Sequence, residues 1–85
     1  MKLYKFYKNG CAPCYVLSRM LMTINIPKDI EIVGVNVELE ENKNFAKEND
    51  IDRVPVLMLE TGEKLVGVTN KDILIYFISQ GENKE

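Results

Sequence analysis

Two cysteines are separated by two residues in this 85-residue chain, as Cys11-Ala12-Pro13-Cys14. The chain has no histidine and no tryptophan. Thiols at this spacing can join in one disulfide and exchange it with another through a mixed-disulfide intermediate. The missing histidines exclude imidazole acid–base catalysis, Ser-His and Cys-His nucleophile pairs, and His-ligated metal sites. Two thiols cannot fill a four-thiolate zinc site within one chain, and one bridge is too few for a disulfide-rich secreted scaffold. The chemistry left to the chain therefore rests on the two thiols or on carboxylates. Random placement would put two cysteines three apart about one time in forty, so position must add to spacing.

The elements around the pair supply that position. Leu3 to Tyr7 is aromatic-rich, is bounded by Asn9-Gly10, and reads as a strand. After Cys11, apolar residues at 14, 17, 21 and 24, with 16 and 20 beside them, have helical spacing. Pro13 suits a first helical turn, and Pro27 lies beyond the helix end. Ile30 to Val37 is β-branched and reads as a buried strand, in which Gly34 either weakens the strand or marks close packing. Glu40 to Asn49 reads as a short amphipathic helix, with Glu38-Leu39-Glu40-Glu41 as an acidic start that suits the helix dipole. Val54 to Leu59 and Lys64 to Val68 read as strands joined by a tight Thr61-Gly62 hairpin. Thr69 or Asn70 caps a last helix to about Gln80, with Asp72 in a capping box with Thr69 and Gly81 as the C-terminal glycine. Tyr4, Phe6, Phe45 and Phe77 read as core, and the four methionines as gap fillers.

The expected fold is α/β, in the order β-α-β-α-β-β-α, with a four-stranded mixed sheet flanked by three helices. A helical crossover lets the first two strands pair in parallel, and the last two form an antiparallel hairpin. Residues 1–80 form one domain, because the chain is too short for two cores, and residues 81–85 read as a polar tail.

This order places the cysteines where a strand hands over to a helix. Cys11 then lies at the first turn, near unpaired N–H groups and the positive end of the helix dipole, which favour thiolate. Cys14 lies one turn further in, on the apolar stripe. The arrangement separates an attacking thiol, Cys11, from a resolving thiol, Cys14. A purely structural disulfide, or a zinc site shared between two chains, remains open on position and spacing alone.

Composition narrows the partners. Eleven basic residues stand against thirteen acidic ones, for a net charge of −2, so no overall basic field favours nucleic acid. The longest nearly apolar run, residues 73–78, is too short to span a bilayer. The N-terminal residues lack the pattern of a signal peptide, which leads to the expectation of a cytoplasmic protein.

Cys11-Ala12-Pro13-Cys14 after an aromatic strand, Val54-Pro55 opening a later strand, and Glu60-Thr61-Gly62-Glu63 leading to Val66-Gly67 together resemble the thioredoxin/glutaredoxin superfamily. The resemblance spans residues 2 to 80, closest to its small members, and implies a minimal thioredoxin fold that reduces protein disulfides. It implies that Pro55 is a cis-proline, that Val54 offers backbone hydrogen bonds to an extended substrate, and that Gly67 allows close approach beside the same groove. It implies no cofactor beyond the redox-active pair, a flavin-dependent reductase as partner, and a monomer. The chain also departs from the thioredoxin pattern. Gly10 replaces the usual tryptophan before the first cysteine, and Ala12-Pro13 replaces Gly-Pro. Lys5 stands where thioredoxins bury a carboxylate on the first strand, and would support the Cys14 thiolate by charge. Lys8 resembles a basic residue that glutaredoxins carry, placed to favour the Cys11 thiolate. Two alternatives follow: a glutaredoxin-like electron donor, for example to ribonucleotide reductase, and a non-enzymatic module that uses the fold to bind proteins.

Overall fold

The computed structural model describes residues 1–82. Its elements are β1 (Lys2–Tyr7), α1 (Ala12–Leu21), β2 (Glu31–Asn36), α2 (Glu40–Glu48), β3 (Val56–Leu59), β4 (Lys64–Val66) and α3 (Lys71–Glu82). The sheet order is β2-β1-β3-β4. β1 pairs parallel with β2 and antiparallel with β3, and β3 pairs antiparallel with β4. Element order and sheet match the expected fold.

Alternation along the strands sorts the side chains into two layers. Leu3, Leu57 and Leu59 pack with Leu17, Leu21, Leu74, Phe77 and Ile78 from α1 and α3. On the other face Phe6, Val35, Val56 and Met58 pack with Ala46 of α2. Tyr4 and Phe45 are partly buried beside that second layer, with ring centroids 5.0 Å apart, edge to face. Full burial of each such leucine or phenylalanine contributes about 1.5–3 kcal/mol relative to exposure. β3 is buried at all four positions because it is an inner strand covered on both faces.

Several boundaries differ from the sequence expectation. α1 stops at Leu21, and Ile24 reaches the core from the following loop. β2 is an edge strand in which only Val35 is buried, so its β-branched run reflects pairing more than enclosure. At Gly34 an added Cβ would come within 3.3 Å of the Tyr7 ring, so this glycine does mark close packing. β3 begins at Val56, because Val54 and Pro55 form a cis bond ahead of it. β4 ends at Val66, and Gly67 turns the chain with φ +84°.

The hairpin follows the Thr61-Gly62 signal: Gly62 has φ +109° and donates to the Leu59 carbonyl at 2.8 Å. At the start of α3, Asn70 is the cap, because its Oδ1 accepts from the Ile73 N–H at 2.9 Å. That puts Ile73, not Asp72, at the third helical position, so there is no capping box. Gly81 is not a terminator either; it lies buried inside α3. A Cβ there would meet Leu59 Cδ2 at 2.8 Å and Met1 Sδ at 3.2 Å, so the missing side chain lets α3 sit close on the sheet. Of the tail expected over residues 81–85, Gly81 and Glu82 belong to α3, and residues 83–85 lie outside the described residues.

Candidate active site

β1 delivers the chain to the site. After Tyr7, residues 8–10 turn with Gly10 at φ +68°, and Cys11 caps α1 with extended backbone (φ −101°, ψ 101°). The Cys11 sulfur accepts from the Cys14 backbone N–H at 3.2 Å, and the Cys11 carbonyl accepts from the Tyr15 N–H at 3.1 Å. Pro13 sits in the first turn, where no N–H is needed, and that turn carries no acidic side chain. The sulfur thus lies among the free N–H groups and the positive end of the helix. Ala12 and Pro13 are exposed and leave the approach to the pair open.

Cys11 and Cys14 are joined in a disulfide, with Cα atoms 5.2 Å apart. Cys11 is half-buried, whereas Cys14 is only 5% exposed. The asymmetry has the sense expected from the helical stripe.

Sheet register brings the second group of residues to the same end of the molecule. Phe6 near the end of β1 lies opposite Val56 at the start of β3, and Val56 lies opposite Val66 of β4. The Val54–Pro55 bond is cis, Pro55 is buried, and its carbonyl accepts from the Gly67 N–H at 2.8 Å. Val54, Pro55 and Gly67 are therefore one edge, at the sheet end from which the cysteine loop emerges. Val54, Lys8 and Arg53 also line a cleft of about 420 Å³.

Lys5 shares the face of β1 that carries Leu3, where the apolar layer gives out toward the helix N-terminus. Its ammonium donates to Ser18 Oγ at 2.8 Å and lies 5.7 Å from the centroid of the Tyr7 ring. Both contacts compensate a partly buried cation. Lys5, Lys8, Cys11 and Cys14 line one open cavity of about 610 Å³ between β1 and α1. Sequence reasoning missed Ser18 and Tyr7 as parts of this site. The signals were their spacings: Ser18 follows Cys14 by one helical turn, and Tyr7 follows Lys5 by two on a strand. Tyr15, beside Cys14, also lines the cavity and is 64% exposed.

A cysteine pair capping the helix that follows the first strand, at the same sheet end as a cis-proline edge, defines a thioredoxin-fold thiol–disulfide oxidoreductase. The family model described as Thioredoxin matches residues 1–80, and the chain belongs to that family. Its structure is similar to that of a single-site mutant thioredoxin from Halobacterium salinarum NRC-1, with a TM-score of 0.78. Sequence identity is 26%, over 99% of this chain and 76% of that one. Among the described residues, no group of three or more Cys, Asp or Glu is placed to hold a metal ion. No described helix is long and apolar enough to cross a membrane.

Proposed function

We propose that this protein reduces protein disulfides by dithiol exchange, with Cys11 as the attacking thiol and Cys14 as the resolving thiol. The observation that carries the reading is the asymmetry of the pair: Cys11 caps the helix half-exposed, while Cys14 is buried one turn behind it. The reduced Cys11 thiolate attacks a target disulfide and forms a mixed disulfide. Cys14 then attacks the Cys11 sulfur, releases the reduced target, and closes the bridge. An extended target segment lies along the Val54–Pro55 edge and takes backbone hydrogen bonds from Val54, with Gly67 leaving room beside it. Lys5 supplies positive charge toward Cys14, and Lys8 toward Cys11. A flavin-dependent reductase of thioredoxin-reductase type returns the electrons. The protein acts as a cytoplasmic monomer.

Insulin reduction by dithiothreitol, followed as turbidity, tests the assignment. Wild type accelerates precipitation and Cys11→Ser does not; equal rates would overturn it. Cys14→Ser accumulates mixed disulfides with targets, visible on a non-reducing gel. A better trap from Cys11→Ser would reverse the two roles.

A further inference from the structure

Asn9 and Gly10 form the turn between β1 and Cys11, and the exchange reaction uses neither. Asn9 is the one asparagine of the chain that precedes a glycine. Both residues are exposed. Gly10 has φ +68°, and a Cβ built on it would meet nothing within 4 Å. Its backbone N–H makes no hydrogen bond among the described residues. A backbone nitrogen that is unpaired, uncrowded and free of a neighbouring side chain can approach the carboxamide of the residue before it.

The carboxamide is the second observation. Asn9 Oδ1 accepts from Asn36 Nδ2 at 3.3 Å, a bond that reaches it from the end of β2. A donor on that oxygen stabilises the negative charge that builds there when a nucleophile adds to Cγ. Asn36 is itself held, because its Oδ1 accepts from the Glu38 N–H at 2.9 Å. The Asn9 N–H in turn donates to Glu38 Oε1 at 3.0 Å. The Asn9 amide nitrogen, the group that would leave, makes no hydrogen bond among the described residues. Asn9 and Gly10 line the same cavity as Cys11.

We infer that Asn9-Gly10 is a site of spontaneous deamidation, and that the carboxylate it produces slows the adjoining redox pair. The Gly10 nitrogen loses its proton to solvent and attacks Asn9 Cγ. A nitrogen–carbon bond forms, the Cγ–Nδ2 bond breaks, and ammonia leaves with a proton taken from solvent, giving a succinimide. Water then opens the ring. Addition at Cγ yields aspartate. Addition at the main-chain carbonyl yields isoaspartate, which routes the backbone through Cβ and lengthens it by one carbon. The net change is amide and water to carboxylate and ammonium, with nothing oxidised or reduced. Either product sets a negative charge two residues before Cys11. Lys5, Lys8, Tyr7 and Tyr15 are the other titratable groups lining that space, and Glu38 lies at its rim. A new anion there opposes the lysines and the helix start, and so disfavours the Cys11 thiolate. The conversion stands by itself, whereas its effect on rate rests on Cys11 as the attacking thiol proposed above.

Incubation of the full folded chain at neutral and mildly alkaline pH, followed by tryptic peptide mass spectrometry, tests the conversion. Trypsin cuts after Lys8 and Arg19, and the peptide between them carries Asn9 as its one carboxamide. That peptide gains the mass of an amide-to-acid change ahead of every other asparagine-containing peptide, and faster at the higher pH. Isoaspartyl methyltransferase with labelled S-adenosylmethionine counts the isoaspartate on the intact protein. Asn36→Asp keeps the acceptor for the Glu38 N–H, removes the donor to Asn9 Oδ1, and slows the conversion. Conversion at Asn9 no faster than at the other asparagines, or seen only above the unfolding midpoint in urea, overturns the inference. Asn9→Asp then isolates the effect of the charge. In the reduced variant, alkylation of Cys11 by iodoacetamide moves to higher pH, and its rate at neutral pH falls about threefold at low salt and less at high salt. Asn9→Gln, which would have to close a less favourable ring, holds its starting rate through the incubation that slows wild type. An alkylation profile unmoved by Asn9→Asp overturns the effect on the pair and leaves the exchange reaction standing. An insulin assay in which Cys11→Ser matches wild type overturns that reaction instead, while the mass change at Asn9 persists.

Discussion

Lys5 puts an ammonium where the resemblance to thioredoxins implies a buried carboxylate. A carboxylate at that place can accept the proton of the second thiol, whereas an ammonium acts through charge. In the exchange proposed above, its charge acts on the reduced state, where Cys14 serves as the resolving nucleophile, and not on the neutral disulfide. Removing the charge destabilises the reduced form, so Lys5→Met makes the potential of the pair more negative, by roughly 10–30 mV. Equilibration against a dithiothreitol buffer measures the shift. Lys5→Arg keeps the charge and restores the wild-type potential. A purely structural role for Lys5 would move both variants alike. The Ser18 hydroxyl, one turn beyond Cys14, holds the ammonium, so Ser18→Ala moves the potential in the same direction but less.

At the scale of elements, α1 and α3 have different duties. α1 presents the sulfurs, and its start is set by Cys11 as cap and Pro13 in the first turn. α3 fills the same face of the sheet, and two of its residues decide how. Asn70 holds its first turn, so Asn70→Ala costs about 1 kcal/mol of stability, read as a lower urea midpoint. Gly81 lets its last turn approach the sheet. Alanine normally stabilises a helix interior by about 1 kcal/mol over glycine. Here the new methyl must displace Leu59 Cδ2, 2.8 Å away in a fully buried side chain. Overpacking a core costs about 1–3 kcal/mol, so Gly81→Ala lowers the urea midpoint where an exposed helical glycine would raise it.

At the scale of the whole molecule, burial and strand pairing are concentrated in the inner strands. β1 and β3 have neighbours on both sides and helices on both faces, whereas β2 and β4 are edges and β4 has only three residues, two of them exposed. Local opening follows burial and pairing. In amide hydrogen exchange followed by NMR, Phe6 and Leu57 exchange slowest and the β4 amides fastest. Equal protection across the four strands would contradict this ranking. The same layout explains the site: β1, paired on both sides, ends where the reactive loop begins.

Much of this protein was legible in its residues. The order of elements followed from hydrophobic period and turn residues, because those patterns record local geometry and which side is dry. The cysteine pair and its asymmetry followed from spacing on a helix, which is also local. Val54-Pro55 and Gly67 stood out by resemblance, but their meeting at one edge depends on the register of β1, β3 and β4, which no local pattern carries. Gly81 shows the same limit: as a string it looked like a helix stop, and only the approach of Leu59 shows that it is a close-packing position within the last turn of α3. Composition alone left thiol chemistry as the main resource. Tertiary structure decided where the charges stand around it, because Lys5, Ser18, Lys8 and Cys14 come from separate turns and share one cavity only when α1 packs on β1.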